Sequence, residues 1–174
     1  MLLNLSDVLT SEGKVENTTV ELEMNSFASR MGDYLITEKS PVEFTFTNIG
    51  VNKAKVEGCV KLVFETRCDR CLSEVSTTLN LAFDRVVTSP EVVTEDEEDD
   101  DRSYMEGYHL NVETFVYNEI LVNWPMKILC KTDCKGTCLV CGQNLNMGEC
   151  DCDSFVPDPR MAVIKDIFNA NKEV

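Results

Sequence analysis

The chain has 174 residues, enough for one ordinary domain or a domain with a small appendage. It carries 31 Asp and Glu against 16 Lys and Arg, a formal net charge of −15, and 43% of its residues are hydrophobic. That hydrophobic share excludes wholesale disorder. The charge excludes a surface that coats phosphate backbone, which would need Lys and Arg to displace counterions, and it disfavours docking on anionic lipid. The opening Met1-Leu2-Leu3-Asn4-Leu5-Ser6-Asp7 has no basic region, and no apolar run approaches about 18 residues, so neither a signal peptide nor a membrane span is expected. The expected compartment is the reducing cytoplasm, where nine cysteines read as metal ligands or redox thiols before they read as disulfides.

In chain order, the first 90 residues read as an antiparallel β region. The opening segment and Val20-Glu21-Leu22-Glu23-Met24 are candidate strands. Val42, Phe44 and Phe46 alternate with Glu43, Thr45 and Thr47, the period-2 pattern of a half-buried strand, and Asn48-Ile49-Gly50-Val51-Asn52 marks the turn that follows. Val56, Val60, Leu62 and Phe64 repeat the pattern, with Lys55, Glu57, Lys61 and Glu65 on the other side. Val75, Thr77, Leu79, Leu81 and Phe83 give a third stretch, so the short connection from Arg67 to Glu74 makes an antiparallel hairpin the economical arrangement.

Residues 91–106 hold nine acidic and one basic side chain, more than half of the net charge. Adjacent like charges repel and bury no apolar area, so this stretch reads as a flexible linker, either a solvated spacer or a docking strip for a basic partner. Residues 107–174 change period. Val112, Phe115, Val116 and Ile120 predict a helix over 111–124, stopped at Trp124-Pro125 because the residue before proline avoids the α conformation. Asp158 and Pro159 read as the cap and first turn of a C-terminal helix with Met161, Ile164 and Ile167 or Phe168 on one face. The expected class is α+β: an antiparallel sheet or partly closed barrel with a packed helix, a Cys-rich zinc-binding segment and a C-terminal helix, forming one domain.

The densest chemistry lies between Cys130 and Cys152, which reads Cys130-x3-Cys134-x3-Cys138-x2-Cys141-x8-Cys150-x-Cys152. A C-x2-C pair followed by Gly142 has the shape of a zinc knuckle, and Cys150 and Cys152 can complete four thiolate ligands around Zn²⁺. So short a stretch with few large apolar side chains would hardly fold on a core of its own, and a metal supplies the missing stability. An Fe–S centre uses the same ligand set.

A second pair, Cys68-Asp69-Arg70-Cys71, sits at the tip of the hairpin. It reads as half a metal site, a redox pair or two incidental thiols. With Cys130 and Cys134 it makes a second set of four, although Cys134 can equally join the first, so one zinc or two fit the count. Cys59 is left over as a packed small side chain in mid-strand. The only histidine, His109, borders the acidic stretch and reads as a surface residue. No Walker loop, G-x-G-x-x-G, G-x-S-x-G or H-E-x-x-H is present, and no enzyme is expected.

The strand–CDRCL–strand unit at 68–72, the helix ending in Trp124-Pro125, the run LCKTDCKGTCLVCGQNLNMGECDC at 129–152 and the closing DPRMAVIKDIF at 158–168 together resemble the YceD family, the large ribosomal RNA subunit accumulation proteins. The resemblance covers roughly residues 40–170. It implies a cytoplasmic bacterial protein that supports large-subunit ribosomal RNA as an assembly or processing factor, and it brings no catalytic residues. Two modes follow. Arg67, Arg70, Lys131 and Lys135 beside the metal motifs can form a local basic patch for the phosphates of a large-subunit rRNA precursor. Alternatively, the overall acidity steers a basic ribosomal or processing protein. No membrane or small-molecule substrate is expected. The alternative function is a zinc- or thiol-based redox-sensing module unrelated to RNA, acting through Cys68 and Cys71.

Overall fold

In a computed structural model the described residues are 1–89 and 104–152. The chain divides into two compact units that do not follow chain order. One comprises Met1–Arg67 and Glu74–Ile128; the other comprises Cys68–Ser73 and the chain from Leu129 onward.

The first unit is built on β6 (Lys53–Arg67) and β7 (Glu74–Thr88), the hairpin anticipated from the alternation of Val56, Val60, Leu62 and Phe64. Every residue of β6 has a partner on β7, from Lys53 opposite Thr88 to Arg67 opposite Glu74. The other edge of β6 is shared. Its first half pairs with β5 (Val42–Gly50), which carries β2 (Val15–Val20), and its second half pairs with β4 (Gly32–Lys39), which carries β3 (Ser26–Ser29). All pairings are antiparallel, and the result is an open, forked sheet rather than a closed or partly closed barrel. The fork explains the difference: β6 is long enough for two neighbours in succession along one edge, so the sheet branches where a barrel would have to close.

A second sheet joins β1 (Leu2–Asn4), β9 (His109–Asn111) and β8 (Met105–Glu106) in the order β1-β9-β8. Short α1 (Ser6–Thr10) follows β1, and α2 (Val112–Asn123) follows β9. The Asn111 side chain caps α2 by accepting from the Thr114 N–H at 3.3 Å, and Trp124 turns extended before Pro125, as expected.

The core of this unit is aromatic. Phe27, Phe44, Phe46, Phe64 and Phe115 are fully buried, and the Phe27 ring lies 5.2 Å from Trp124 and 6.3 Å from Phe64, centroid to centroid. Gly58 is required in mid-strand, because a Cβ there would land on the Glu43 carbonyl oxygen and the Phe83 ring. The buried Glu119 carboxylate is met by Arg85, Nε to Oε1 at 2.7 Å, which ties α2 to β7.

Several expectations shift. The strand anticipated at 20–24 instead ends at Val20. Cys59 is exposed rather than packed: it stands on the outward parity of β6 with Glu57 and Lys61. The acidic stretch lies outside the described residues up to 103, but at its end Tyr104 is buried and Met105–Glu106 form β8. The anticipated C-terminal helix lies outside the described residues. His109 is exposed in β9.

Candidate metal centres

The chemistry gathers in the second unit. Two C-x2-C segments there adopt the same turn. In the first, the Leu72 N–H donates to the Cys68 carbonyl at 2.9 Å and the Cys68 N–H to the Ser73 carbonyl at 2.8 Å. In the second, the Gly142 N–H donates to the Cys138 carbonyl at 2.9 Å and the Cys138 N–H to the Gln143 carbonyl at 2.8 Å. Both need a left-handed residue directly after the second cysteine, Leu72 at φ 60° and Gly142 at φ 74°. The turn curls the backbone around its own sulfurs, so both thiols and several N–H groups converge on one point.

Each turn is completed by two cysteines from the C-terminal stretch. Cys68, Cys71, Cys130 and Cys134 form one quartet and Cys138, Cys141, Cys150 and Cys152 the other; within each, all sulfurs lie within 4.8 Å of one another. In the first quartet the Cys68 and Cys134 sulfurs are 3.8 Å apart and those of Cys71 and Cys130 3.5 Å. A tetrahedron of sulfurs about 2.3 Å from a central zinc has edges of about 3.8 Å, so the donor set and its spacing fit Zn²⁺. Four sulfurs and no water position describe a closed, structural site rather than a catalytic one. The same sulfur chemistry accommodates other thiophilic ions.

Electrostatics divides each quartet. Burial opposes ionisation of Cys68, but the N–H groups of Cys130, Arg70 and Cys71 outweigh it and bring its pKa down to about 6. The Ser73 hydroxyl and backbone lower Cys71. Burial, followed by the neighbouring thiols, pushes Cys130 up to about 12. In the other quartet the Cys141 and Val140 N–H groups lower Cys138 to about 6, and the Cys141 thiol holds Cys152 up at about 12. Cys150 is also raised: the backbone at Cys152 works the other way, but Cys138 and burial prevail. Four close thiols cannot all ionise unaided, and a divalent cation is what removes the conflict.

A polar frame links the two quartets within the unit. The Asn144 amide donates to the Ser73 hydroxyl at 3.1 Å, and the Asn146 amide donates to the Cys134 sulfur at 3.2 Å while its oxygen accepts the Lys135 N–H at 2.9 Å. Arg70 Nη1 donates to the Cys134 carbonyl at 2.8 Å. Sequence reasoning did not single out Ser73, Asn144 or Asn146; the only signal was polar residues where a core would need apolar ones.

Among the residues anticipated as a basic patch, Arg70, Lys131 and Lys135 belong to this unit and are exposed, whereas Arg67 ends β6 in the other. Arg70 is engaged by Cys134, and Lys135 lies 4.0 Å from Glu149. Among the described residues of the unit, three cations stand with four carboxylates, Asp69, Asp133, Glu149 and Asp151.

No helix among the described residues is long and apolar enough to cross a membrane. A search of curated proteins and a search of solved structures each returned no match. The family model described as large ribosomal RNA subunit accumulation protein YceD matches residues 56–168, a span that runs from β6 through both cysteine turns. By that match over more than half its length, the chain belongs to the YceD family, whose name assigns it a role in the accumulation of large-subunit ribosomal RNA.

Proposed function

We propose that the protein is a non-catalytic, cytoplasmic ribosome biogenesis factor for the large subunit, with two Zn²⁺ ions organising its cysteine unit. One observation carries the metal reading. Among the described residues of that unit, the buried apolar side chains are four thiols, Cys68, Cys71, Cys134 and Cys138, with no aliphatic or aromatic core beside them. Where the described residues bury so little apolar area, metal ions supply the ordering. Elemental analysis of native protein should give two zinc ions per chain, falling to one in Cys68→Ser and in Cys141→Ser. Zinc-free protein that keeps the fold of this unit would overturn the reading.

The partner is a basic protein of the assembling subunit. Each zinc with four thiolates adds a further two negative charges to a unit already short of cations, and the whole chain stands at −15 before them. Direct contact with the rRNA precursor is the second reading, through Arg70, Lys131 and Lys135 of the cysteine unit or through Arg67 of the other, and is favoured by their exposure. Filter binding separates the two: salt-dependent RNA affinity in the micromolar range, lost on replacing Arg67 and Lys131, would select RNA.

A further inference from the structure

The outer edge of β7 is unusual among the strand edges of the β unit. Edge strands expose a row of unpaired N–H and C=O groups, and proteins normally blunt them by shortness, bulges, proline or lysine. The other outer strands follow that pattern, β2 with six residues and β3 with four. β7 has 15 residues and contains neither proline nor lysine. Its pairing with β6 runs from end to end in one register, whereas β4 and β5 each slip once against the same strand. Among the described residues, no backbone hydrogen bond joins 76–86 to anything but β6.

The groups that face outward follow from the ladder. The Ser89 N–H donates to the Asn52 carbonyl, so position 89 faces inward. Inward and outward groups alternate along an antiparallel strand. Val87, Arg85, Phe83, Leu81, Leu79 and Thr77 therefore bond to β6. The N–H and C=O groups with no backbone partner among the described residues belong to Val86, Asp84, Ala82, Asn80, Thr78 and Ser76. With Glu74 just before them, these residues carry two carboxylates; the Asp84 carboxylate shares the Lys55 ammonium, 3.0 Å away, with Glu57, so that cluster keeps one negative charge in excess. A cavity of about 310 Å³ lies across the sheet beside this strand, running from Asn80, Leu81 and Ala82 of β7 over Cys59, Val60 and Lys61 of β6 to Ser40, Pro41 and Glu43. Strand addition takes its affinity from main-chain hydrogen bonds and its selectivity from such side-chain pockets.

We infer that β7 accepts an extended segment of a basic protein as an added strand over Ser76–Val86. The sign of the partner follows from Glu74, from the Asp84–Lys55–Glu57 cluster with its two carboxylates to one ammonium, and from a chain charge of −15, which also opposes edge-to-edge pairing of two copies. The inference deepens the reading of a basic protein partner by giving it a place, and it rests on that reading for nothing but the partner's charge.

The test uses the full-length protein and synthetic eight-residue peptides. One alternates Lys with Val or Thr, a second substitutes Glu for Lys, and a third repeats the basic sequence with alternate amides N-methylated. The basic peptide should bind with micromolar affinity by fluorescence anisotropy and slow hydrogen exchange at the amides of Thr78, Asn80 and Ala82. The acidic and N-methylated peptides should bind at least tenfold more weakly. Asn80→Pro removes one outward donor and spares the β6 ladder, so it should weaken the basic peptide about tenfold; Ala82→Lys should do the same by charge with the backbone intact. Equal binding of the methylated peptide, or protection confined to other strands, would overturn the inference, as would sedimentation showing a dimer that protects these amides without peptide. Because the peptides read β7 alone, such a result leaves the zinc stoichiometry and the role in rRNA accumulation standing.

Discussion

Among the described residues, the buried side chains of the β unit are mostly phenylalanine, leucine and valine, whereas the buried apolar ones of the cysteine unit are thiols. The first unit therefore gains its stability from apolar area removed from water, at about 25 cal/mol per Å². The described residues of the second bury little of that area, and what they bring together is two sets of four sulfurs, each able to hold one cation. The same contrast recurs between the two cysteine turns. They share one hydrogen-bond pattern, yet the first places an exposed leucine in the left-handed position where the second has glycine. The first quartet compensates by burial, with Cys68, Cys71 and Cys134 inside, while the second keeps Cys141 exposed and Cys150 and Cys152 only half-buried. Closed surroundings tolerate a strained residue, whereas an open site needs an unstrained turn.

The comparison between units breaks most sharply on metal removal. A strong chelator should unfold the cysteine unit and leave the β unit folded, seen as collapsed dispersion of amide resonances from 129–152 with those of β5–β7 unchanged; structural zinc contributes about 10 kcal/mol or more in such small sites. The converse variant is Phe64→Ala, which should cost the β unit about 3–5 kcal/mol in denaturant unfolding with zinc content unchanged, since it deletes a fully buried ring. Gly58→Ala should cost the same unit roughly 1–3 kcal/mol, because the new Cβ forces the Glu43 backbone or the Phe83 ring aside.

Between the two turns the expected effects are smaller and opposite in sign. Gly142→Ala should destabilise by about 1 kcal/mol, since φ 74° disfavours any side chain, whereas Leu72→Gly should stabilise by up to about 1 kcal/mol, because the leucine is exposed and its removal forfeits strain rather than packing. Both are read from the midpoint of zinc-loaded unfolding. On pH the sign is common to the two sites. Cys130 and Cys152 keep their protons up to about 12 without metal, so zinc binding at pH 7 releases protons and weakens as pH falls. Calorimetry in buffers of different ionisation enthalpy measures that release.

Much of the fold was legible because its signals are local. The alternation of Val60, Leu62 and Phe64 against Lys61 and Glu65 defines a strand face, and the spacing of Val112, Phe115, Val116 and Ile120 with the stop at Trp124-Pro125 marks α2. The same parity would have placed Cys59 outward had it been applied to the cysteine itself. Less legible were β8 and β9, each too short for periodicity to register, and the fork of the sheet, which depends on how far β6 extends beyond its partners. Asn48 is similar: its buried amide donates to the Val8, Leu9 and Gly50 carbonyls, contacts that tie α1 to a distant turn and leave no mark in the chain around it.

The net charge of −15, the nine cysteines and their spacing follow from the sequence alone, and so does the left-handed turn at Gly142, since a C-x2-C-G segment curls by local sterics. Only tertiary structure sorted the sulfurs. Cys68 and Cys71 lie about sixty positions from Cys130 and Cys134, and nothing local distinguishes that pairing from one with Cys138 or Cys150. Spacing limits which thiols one turn can present to an ion. Which distant thiols complete the tetrahedron is decided by where the folded chain brings them, because a metal reads distance and direction and is blind to order along the chain.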